Sequence, residues 1–241
     1  MKNKEIYIGC SSYNTASWQK LFYPEDIPRS KWFEYYCKHF NTYELNSTFY
    51  KFPTVRVLQN WYKKAPEGFL YSAKVPKIIT HIKSLADCQD EINEFYSVVR
   101  EGLADKLGCV LFQLPPSFSY TTERLELVIN AVNPEFSNVV EFRNESWWIP
   151  EVFEALAANN ITFCSVNYPK IPTVIIETTP LLYLRLHGNP RLFYSEYSSQ
   201  EIKDYAEAIR NAKADKCFVY FNNTADTGAI INAQEMKELL K

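Results

Sequence analysis

The chain has 241 residues, 46% of them hydrophobic and 22% charged, with a formal net charge of −2. That length fits one domain with a large buried core, and the near-neutral charge gives no global attraction to nucleic acid or to a membrane surface. The opening MKNKEIYIGC has no apolar stretch behind its lysines and no run of about 18 apolar residues occurs, so neither a signal peptide nor a membrane span is expected, and the expected location is cytoplasmic.

Short strand-like runs then alternate with helix-like ones. The strands are expected at 6–10, 42–46, 69–74, 109–113, 138–142, 162–166, 181–186 and 217–221. Among the intervening segments, 91–103 places Ile92, Phe95, Val99 and Leu103 at spacings of three and four. Segments 123–132, 151–158, 201–212 and 234–240 behave in the same way. The stretch 167–179 is punctuated by proline and reads as a loop or short strand. Eight strands with helices between them predict a parallel sheet closed into a TIM (β/α)8 barrel, one domain over 1–241. An open doubly wound sheet usually carries a glycine-rich phosphate turn, and with six glycines and no G-x-G-x-x-G this chain has none. Six cysteines (Cys10, Cys37, Cys88, Cys109, Cys164 and Cys217) are scattered without a C-x-x-C pair, which reads as reduced, buried thiols.

In such a barrel alternate strand residues face the lumen, and active sites lie at the C-terminal strand ends. The fifth strand, N-V-V-E-F-R, puts Glu141 and Arg143 on one face and Val140 and Phe142 on the other. The seventh, L-Y-L-R-L-H-G, sets Tyr183, Arg185 and His187 opposite Leu182, Leu184 and Leu186. The same alternation sends Glu44 and Asn46, Lys74, and Gln113 to the mouth from the second, third and fourth strands. The sixth ends at Asn167, the eighth at Asn222 and Asn223, and Ser11 and Ser12 follow the first. Each charge deep in a barrel mouth costs several kcal/mol to desolvate unless it is paired. A repeated in/out phase on five strands therefore points to a built site.

The runs T-Y-E-L-N-S-T-F-Y, F-Q-L-P-P-S-F, V-E-F-R-N-E-S-W, L-R-L-H-G and Y-F-N-N-T-A-D-T-G-A, in this order, resemble the YecE-like family, domain of unknown function 72. The resemblance runs end to end. It implies a TIM barrel in a bacterial or archaeal protein and attaches no activity to it. By similarity Glu44, Asn46, Tyr50, Lys74, Gln113, Glu141, Arg143, Trp147, Arg185, His187 and Asn222 stand on family motif positions. The chain departs from the pattern at Gly9-Cys10-Ser11-Ser12-Tyr13, where the family commonly has G-T-S-G-W. It departs again at Asn144, where a histidine often follows E-F-R, and at Cys109, where proline is often found.

Three chemical readings follow. The first is an enzyme, a hydrolase, lyase or isomerase, acting on a small anionic substrate that is phosphorylated or carboxylated. The forks of Arg143 and Arg185 suit such a group, and Gly228 opens a helix whose free N–H groups favour an anion. Glu44 or Glu141 would be the general base and His187 the acid or proton shuttle. Lys74 would stabilise an oxyanion or form a Schiff base. Asn46, Tyr50, Gln113, Trp147 and Asn222 complete the substrate-binding set.

The second reading is a divalent-metal-dependent hydrolase with Glu44, Glu141 and His187 around one ion. With only His39, His81 and His187, no H-x-H or H-E-x-x-H, and arginines close by, no metal or other cofactor is expected. The third is a module without turnover that stacks a nucleotide or sugar on Trp18, Phe49, Tyr50, Trp147 or Trp148. A nucleic-acid partner is not expected. No G-x-x-x-x-G-K-[ST] or G-x-S-x-G occurs, and the sequence leaves oligomeric state open.

Overall fold

The computed structural model describes residues 4–241, so the first three residues of the expected domain lie outside the described residues. In chain order the elements are β1 (Glu5–Cys10), α1 (Trp32–His39), β2 (Thr42–Leu45), α2 (Ser47–Tyr50), α3 (Val55–Lys64), β3 (Leu70–Lys74), α4 (Gln89–Leu103), β4 (Leu107–Gln113) and α5 (Thr122–Ala131). There follow β5 (Asn138–Glu141), α6 (Pro150–Ala158), β6 (Thr162–Asn167), β7 (Leu181–Leu186), α7 (Ser199–Asn211), β8 (Lys216–Phe221) and α8 (Gly228–Leu239). All eight strands fall within a residue or two of the expected ones. Every recorded strand pair is parallel, in the order β1-β8-β7-β6-β5-β4-β3-β2. The result is a nearly closed TIM-type barrel with helices outside it.

Local chemistry explains the helix boundaries. Thr54 and Thr121 accept hydrogen bonds from the third N–H groups of α3 and α5, Pro150 opens α6, and Ser198 with Glu201 forms a capping box on α7. No helix stands between β6 and β7, as the prolines predicted. The extended loop there is tied to β6 by side chains instead: the Ile176 N–H donates to Ser165 Oγ at 2.9 Å and the Phe163 N–H to Thr178 Oγ1 at 2.9 Å.

Strand alternation divides the core in two. Leu45, Ala73, Phe112, Val140, Phe142, Leu184 and Val219 point outward against the helices. Cys109, Leu111, Val139, Cys164, Val166, Tyr183, Phe218 and Tyr220 fill the lumen. Each fully buried side chain of the Leu or Phe kind is worth roughly 1.5–3 kcal/mol of hydrophobic stabilisation. All six cysteines are free thiols, five of them buried and Cys37 half-buried.

The seam between β1 and β2 is bridged by side chains. The Ile8 N–H donates to Asn41 Oδ1 at 2.9 Å, and Asn41 Nδ2 donates back to the Ile6 carbonyl at 2.8 Å. One turn above, the Tyr36 hydroxyl accepts from the Cys10 N–H at 2.7 Å and donates to the Thr42 carbonyl at 3.0 Å. Gly9 allows this approach, since a Cβ there would lie 2.2 Å from the Thr42 carbonyl oxygen. Among the described residues no helix is long and apolar enough to cross a membrane.

Candidate functional site

The alternation that fills the lumen also brings ten of the twelve predicted site residues to the C-terminal mouth. At its floor lies an ion-pair network. Arg185, on β7 and 1% exposed, donates from Nε to Glu44 Oε2 at 3.0 Å and from Nη2 to Glu44 Oε1 at 2.6 Å. Its third nitrogen, Nη1, donates to Glu141 Oε2. Tyr183, one lumen position below, donates its hydroxyl to Glu44 at 2.8 Å, and Asn46 Nδ2 donates to the other Glu44 oxygen at 3.1 Å. Arg143 Nε donates to Glu141 Oε1. Burial opposes the charge on Glu141, but Arg143 and Arg185 override it and hold the carboxyl well below the usual range.

His187 closes the network. Arg143 Nη2 lies 3.1 Å from His187 Nε2. A guanidinium has donors only, so Nε2 accepts, and the ring proton sits on Nδ1 facing Asn222 Oδ1 at 3.1 Å. Asn222 Nδ2 then donates to Ser11 Oγ at 2.5 Å. His187 Nε2 also lies 3.4 Å from Glu141 Oε1. We assign that contact no bond, because Arg143 takes the lone pair of Nε2. Burial, with Arg143 and Arg185 adding repulsion, pushes the pKa of His187 down to about 3, so the ring is neutral.

Above this floor opens a cavity of about 520 Å³. Its wall includes Asn46, Phe49, Tyr50, Lys74, Lys77, His81, Gln113, Arg143, Arg185, Phe193 and Asn222. Lys74, on β3, is 8% exposed. Its Nζ donates to Gln113 Oε1 at 2.9 Å and stands 3.9 Å from the centre of the Phe49 ring. Burial first, and then repulsion from Arg185, lowers its pKa to about 7. Gln113 Nε2 donates to the Leu114 carbonyl at 2.7 Å and points at His81 Nε2 at 3.5 Å. His81 sits on a π-helical turn, Ile78–Ile82, and burial with the nearby Lys74 charge lowers its pKa to about 4.

Some expectations need correction. Glu44, Glu141 and His187, expected to be base and acid, lie beneath the cavity wall, because Arg185 and Arg143 draw both carboxylates to the floor. Trp147 is fully buried outside the barrel, stacked 4.0 Å from Phe142, with its Nε1 donating to the Phe118 carbonyl at 2.7 Å. Gly228 does open α8 but is buried beneath Asn223 and Glu196, away from the cavity wall. Trp18 is buried with its Nε1 on the Asp226 carbonyl at 2.9 Å, and Trp148 packs edge-on against Phe163. Of the aromatics considered for stacking, Phe49 and Tyr50 border the cavity.

Asn167 and Asn223 also turn outward. Asn167 bonds to the hydroxyls of Tyr205 at 2.8 Å and Tyr197 at 2.9 Å, and Asn223 donates to the Ser195 carbonyl at 2.9 Å. The mouth position after β6 belongs to Tyr168, whose ring lies 4.1 Å under the Arg143 guanidinium. In the folded barrel Tyr168 continues the lumen face of Cys164 and Val166.

Comparison with other proteins bears on this barrel as a whole. The family described as "Protein of unknown function DUF72" matches residues 7–241. The chain is 26% identical over 270 residues to UPF0759 protein YunF of Bacillus subtilis, covering 98% of this chain and 94% of that one. It is 27% identical over 184 residues to UPF0759 protein YecE of Escherichia coli, a match that spans 63% of the relative. Among solved structures, a DUF72 family protein from Thermotoga maritima superposes with a TM-score of 0.88 at 29% identity, over 98% of this chain and 99% of that one. One from Enterococcus faecalis gives 0.82 at 24% identity, over 100% and 99%.

Proposed function

The chain belongs to the DUF72 family, and we propose that it is an enzyme acting at the barrel mouth, by acid–base chemistry, on a small anionic substrate, phosphorylated or carboxylated. One observation carries this reading: among the described residues the cavity wall holds four cationic side chains, Lys74, Lys77, Arg143 and Arg185, and no carboxylate. Glu44 and Glu141 balance Arg185 and Arg143 from below, so an anion entering from above meets donors without meeting negative charge. A cavity of about 520 Å³ suits a small metabolite.

The roles divide by burial. Arg143, fixed by Glu141, His187 and Tyr168, presents its remaining N–H groups to the substrate anion. Lys77 adds charge at the exposed rim. Lys74, with a pKa near 7, is the group best matched to proton transfer at neutral pH. Glu141 is a poor base because two guanidiniums hold its charge. The same engagement of Glu44 and Glu141 disfavours a shared divalent ion, and among the described residues no three His, Cys, Asp or Glu side chains converge as metal ligands.

The test is calorimetry and thermal shift with inorganic phosphate and sulfate, at ionic strength matched with chloride. Saturable binding is expected, raising stability by about 2.7 kcal/mol at a hundredfold excess over Kd. Arg143→Gln and Lys74→Met should each remove it, while exposed Lys213→Met leaves it intact. A wild-type melting temperature unmoved by either anion overturns the reading.

A further inference from the structure

Lys74 is set apart from the arginines beside it. Arg143 and Arg185 each hold a carboxylate, whereas among the described residues the ammonium of Lys74 has only an amide oxygen, Gln113 Oε1 at 2.9 Å, and the face of Phe49 at 3.9 Å. A carboxylate partner would fix the proton on the amine. An amide oxygen and a ring face hold the nitrogen in place and leave it free to lose that proton. The remaining direction from Nζ opens on the cavity, where Arg143 forms part of the same wall.

We propose that Lys74 is a carbonyl-capturing nucleophile, forming a protonated imine with an aldehyde, ketone or 2-oxo acid whose anionic group is held by Arg143. This rests on the anion-binding reading above and names the substrate class for the same cavity. The neutral amine donates its lone pair to the carbonyl carbon, forming the C–N bond while the carbonyl π pair moves to oxygen. The new ammonium loses a proton and the alkoxide gains one, giving a carbinolamine. A second proton reaches the hydroxyl, the C–O bond breaks with loss of water, and the nitrogen lone pair forms the C=N bond of the iminium ion. No oxidant or reductant enters. His81 and the Tyr50 phenol border the cavity, and its open mouth lets water carry the protons and leave as product.

The cationic imine then draws electrons from the adjacent carbon, which is the step that C–C cleavage, condensation, dehydration and isomerisation beside a carbonyl share. Burial keeps the free amine populated between turnovers, and the fixed positive charge of Arg185 acts in the same direction.

The experiment is reductive trapping on the full chain. The protein is incubated at pH 7 with sodium cyanoborohydride and either glyoxylate, as an anionic carbonyl, or glycolaldehyde, as a neutral one, and the adducts are located by peptide mass spectrometry. The expected result is a single dominant adduct on Lys74, formed at least about ten-fold faster than on exposed lysines such as Lys203 and Lys213. Lys74→Met should lose it, and Arg143→Gln should slow glyoxylate but not glycolaldehyde. Wild-type protein whose adducts are spread over surface lysines, with Lys74 unmodified by both probes, overturns the proposal; phosphate binding in that same protein would leave the anion reading standing. Capture of glycolaldehyde at Lys74 without preference for glyoxylate has the opposite meaning: the nucleophile stands and the anion reading falls.

Discussion

Arg185 grips Glu44 with two nitrogens, Nε at 3.0 Å and Nη2 at 2.6 Å, at the bottom of a barrel where neither side chain is more than 2% exposed. A buried pair of this kind adds little net stability, because desolvating each ion costs several kcal/mol, but breaking it strands a charge. Glu44→Gln should therefore lower the unfolding free energy by about 3–5 kcal/mol. Arg185→Met should lower it further, since it leaves both Glu44 and Glu141 without their shared partner. Urea titration monitored by tryptophan fluorescence reads both. A Glu44→Gln midpoint equal to wild type would mean that the network is not the keystone of the mouth.

Acid should dismantle the same floor. The pKa of His187 is pushed down from 6.5 to about 3 and that of His81 to about 4, so between 6.5 and those values the unfolded chain binds protons that the folded chain refuses. Unfolding free energy then rises with pH across that window and is lost as pH falls through it. Glu141 acts in the same sense: its folded pKa lies below 4.5, so its contribution is present above that value and disappears as its carboxylate is protonated in the fold. Urea midpoints at pH 7, 5 and 4 should fall steadily in the wild type and less steeply in His187→Gln. Parallel profiles would remove His187 as the cause.

Much of this floor was legible in the sequence because charge and apolarity alternate cleanly on β5 and β7. Val140 and Phe142 must seek the helices, which leaves Glu141 and Arg143 only the lumen, and Leu182, Leu184 and Leu186 do the same for Arg185 and His187. On β6 the phase is hidden, since T-F-C-S-V-N offers small or apolar residues to both faces. Asn167 thus reads as a mouth residue although it serves α7, and Tyr168 goes unseen. Parity also gives direction without distance. It sends three cations to one place, but not the fact that Glu44 and Glu141 engage two of them and leave Lys74 to an amide. Trp147 stands near a strand end as a candidate ligand platform does, yet the same spacing lets it stack on Phe142, and burial of so large a ring decides the matter. Helices α1 and α3 escaped the periodicity reading. In α1 the buried Trp32, Phe33 and Tyr36 do carry helical spacing, but Tyr35 and Cys37 beside them blur the stripe.

The seam makes a separate prediction about stability. The Tyr36 hydroxyl satisfies both the Cys10 N–H and the Thr42 carbonyl where β1 meets β2. Tyr36→Phe leaves these two buried groups unpaired, at a cost of about 1–3 kcal/mol each. Gly9→Ala should be at least as damaging, because its methyl would need the space 2.2 Å from the Thr42 oxygen. Native-state hydrogen exchange checks the location of the effect as well as its size. The Cys10 amide should exchange faster in Tyr36→Phe than the amides of β4 and β5 on the far side of the barrel. A uniform loss of protection would instead assign the cost to the whole fold.

The partner of Lys74 offers the sharpest separation of causes. Burial and the charge of Arg185 hold its pKa near 7 while Glu141, Glu44 and Arg143 partly offset one another, so the folded chain refuses a proton that the unfolded chain binds between about 7 and 10.5. Stability should rise with pH across that range. Gln113→Glu keeps the length and the contact at 2.9 Å but replaces an amide oxygen with an anion. Opposite charge at that distance favours the ammonium and raises the lysine pKa, and each pH unit of rise removes about ten-fold of the free amine at neutral pH. The alkaline rise in stability should flatten, and reductive trapping at pH 7 should slow by at least about ten-fold and recover as pH is raised toward 9. Gln113→Leu acts oppositely on the charge, removing the Oε1 acceptor and lowering the pKa further, so its trapping rate should hold at pH 7 and persist toward pH 6. If both variants merely lost trapping at every pH, the role of Gln113 would be to shape the cavity, and the proton on Lys74 would be governed by burial and the charges around it.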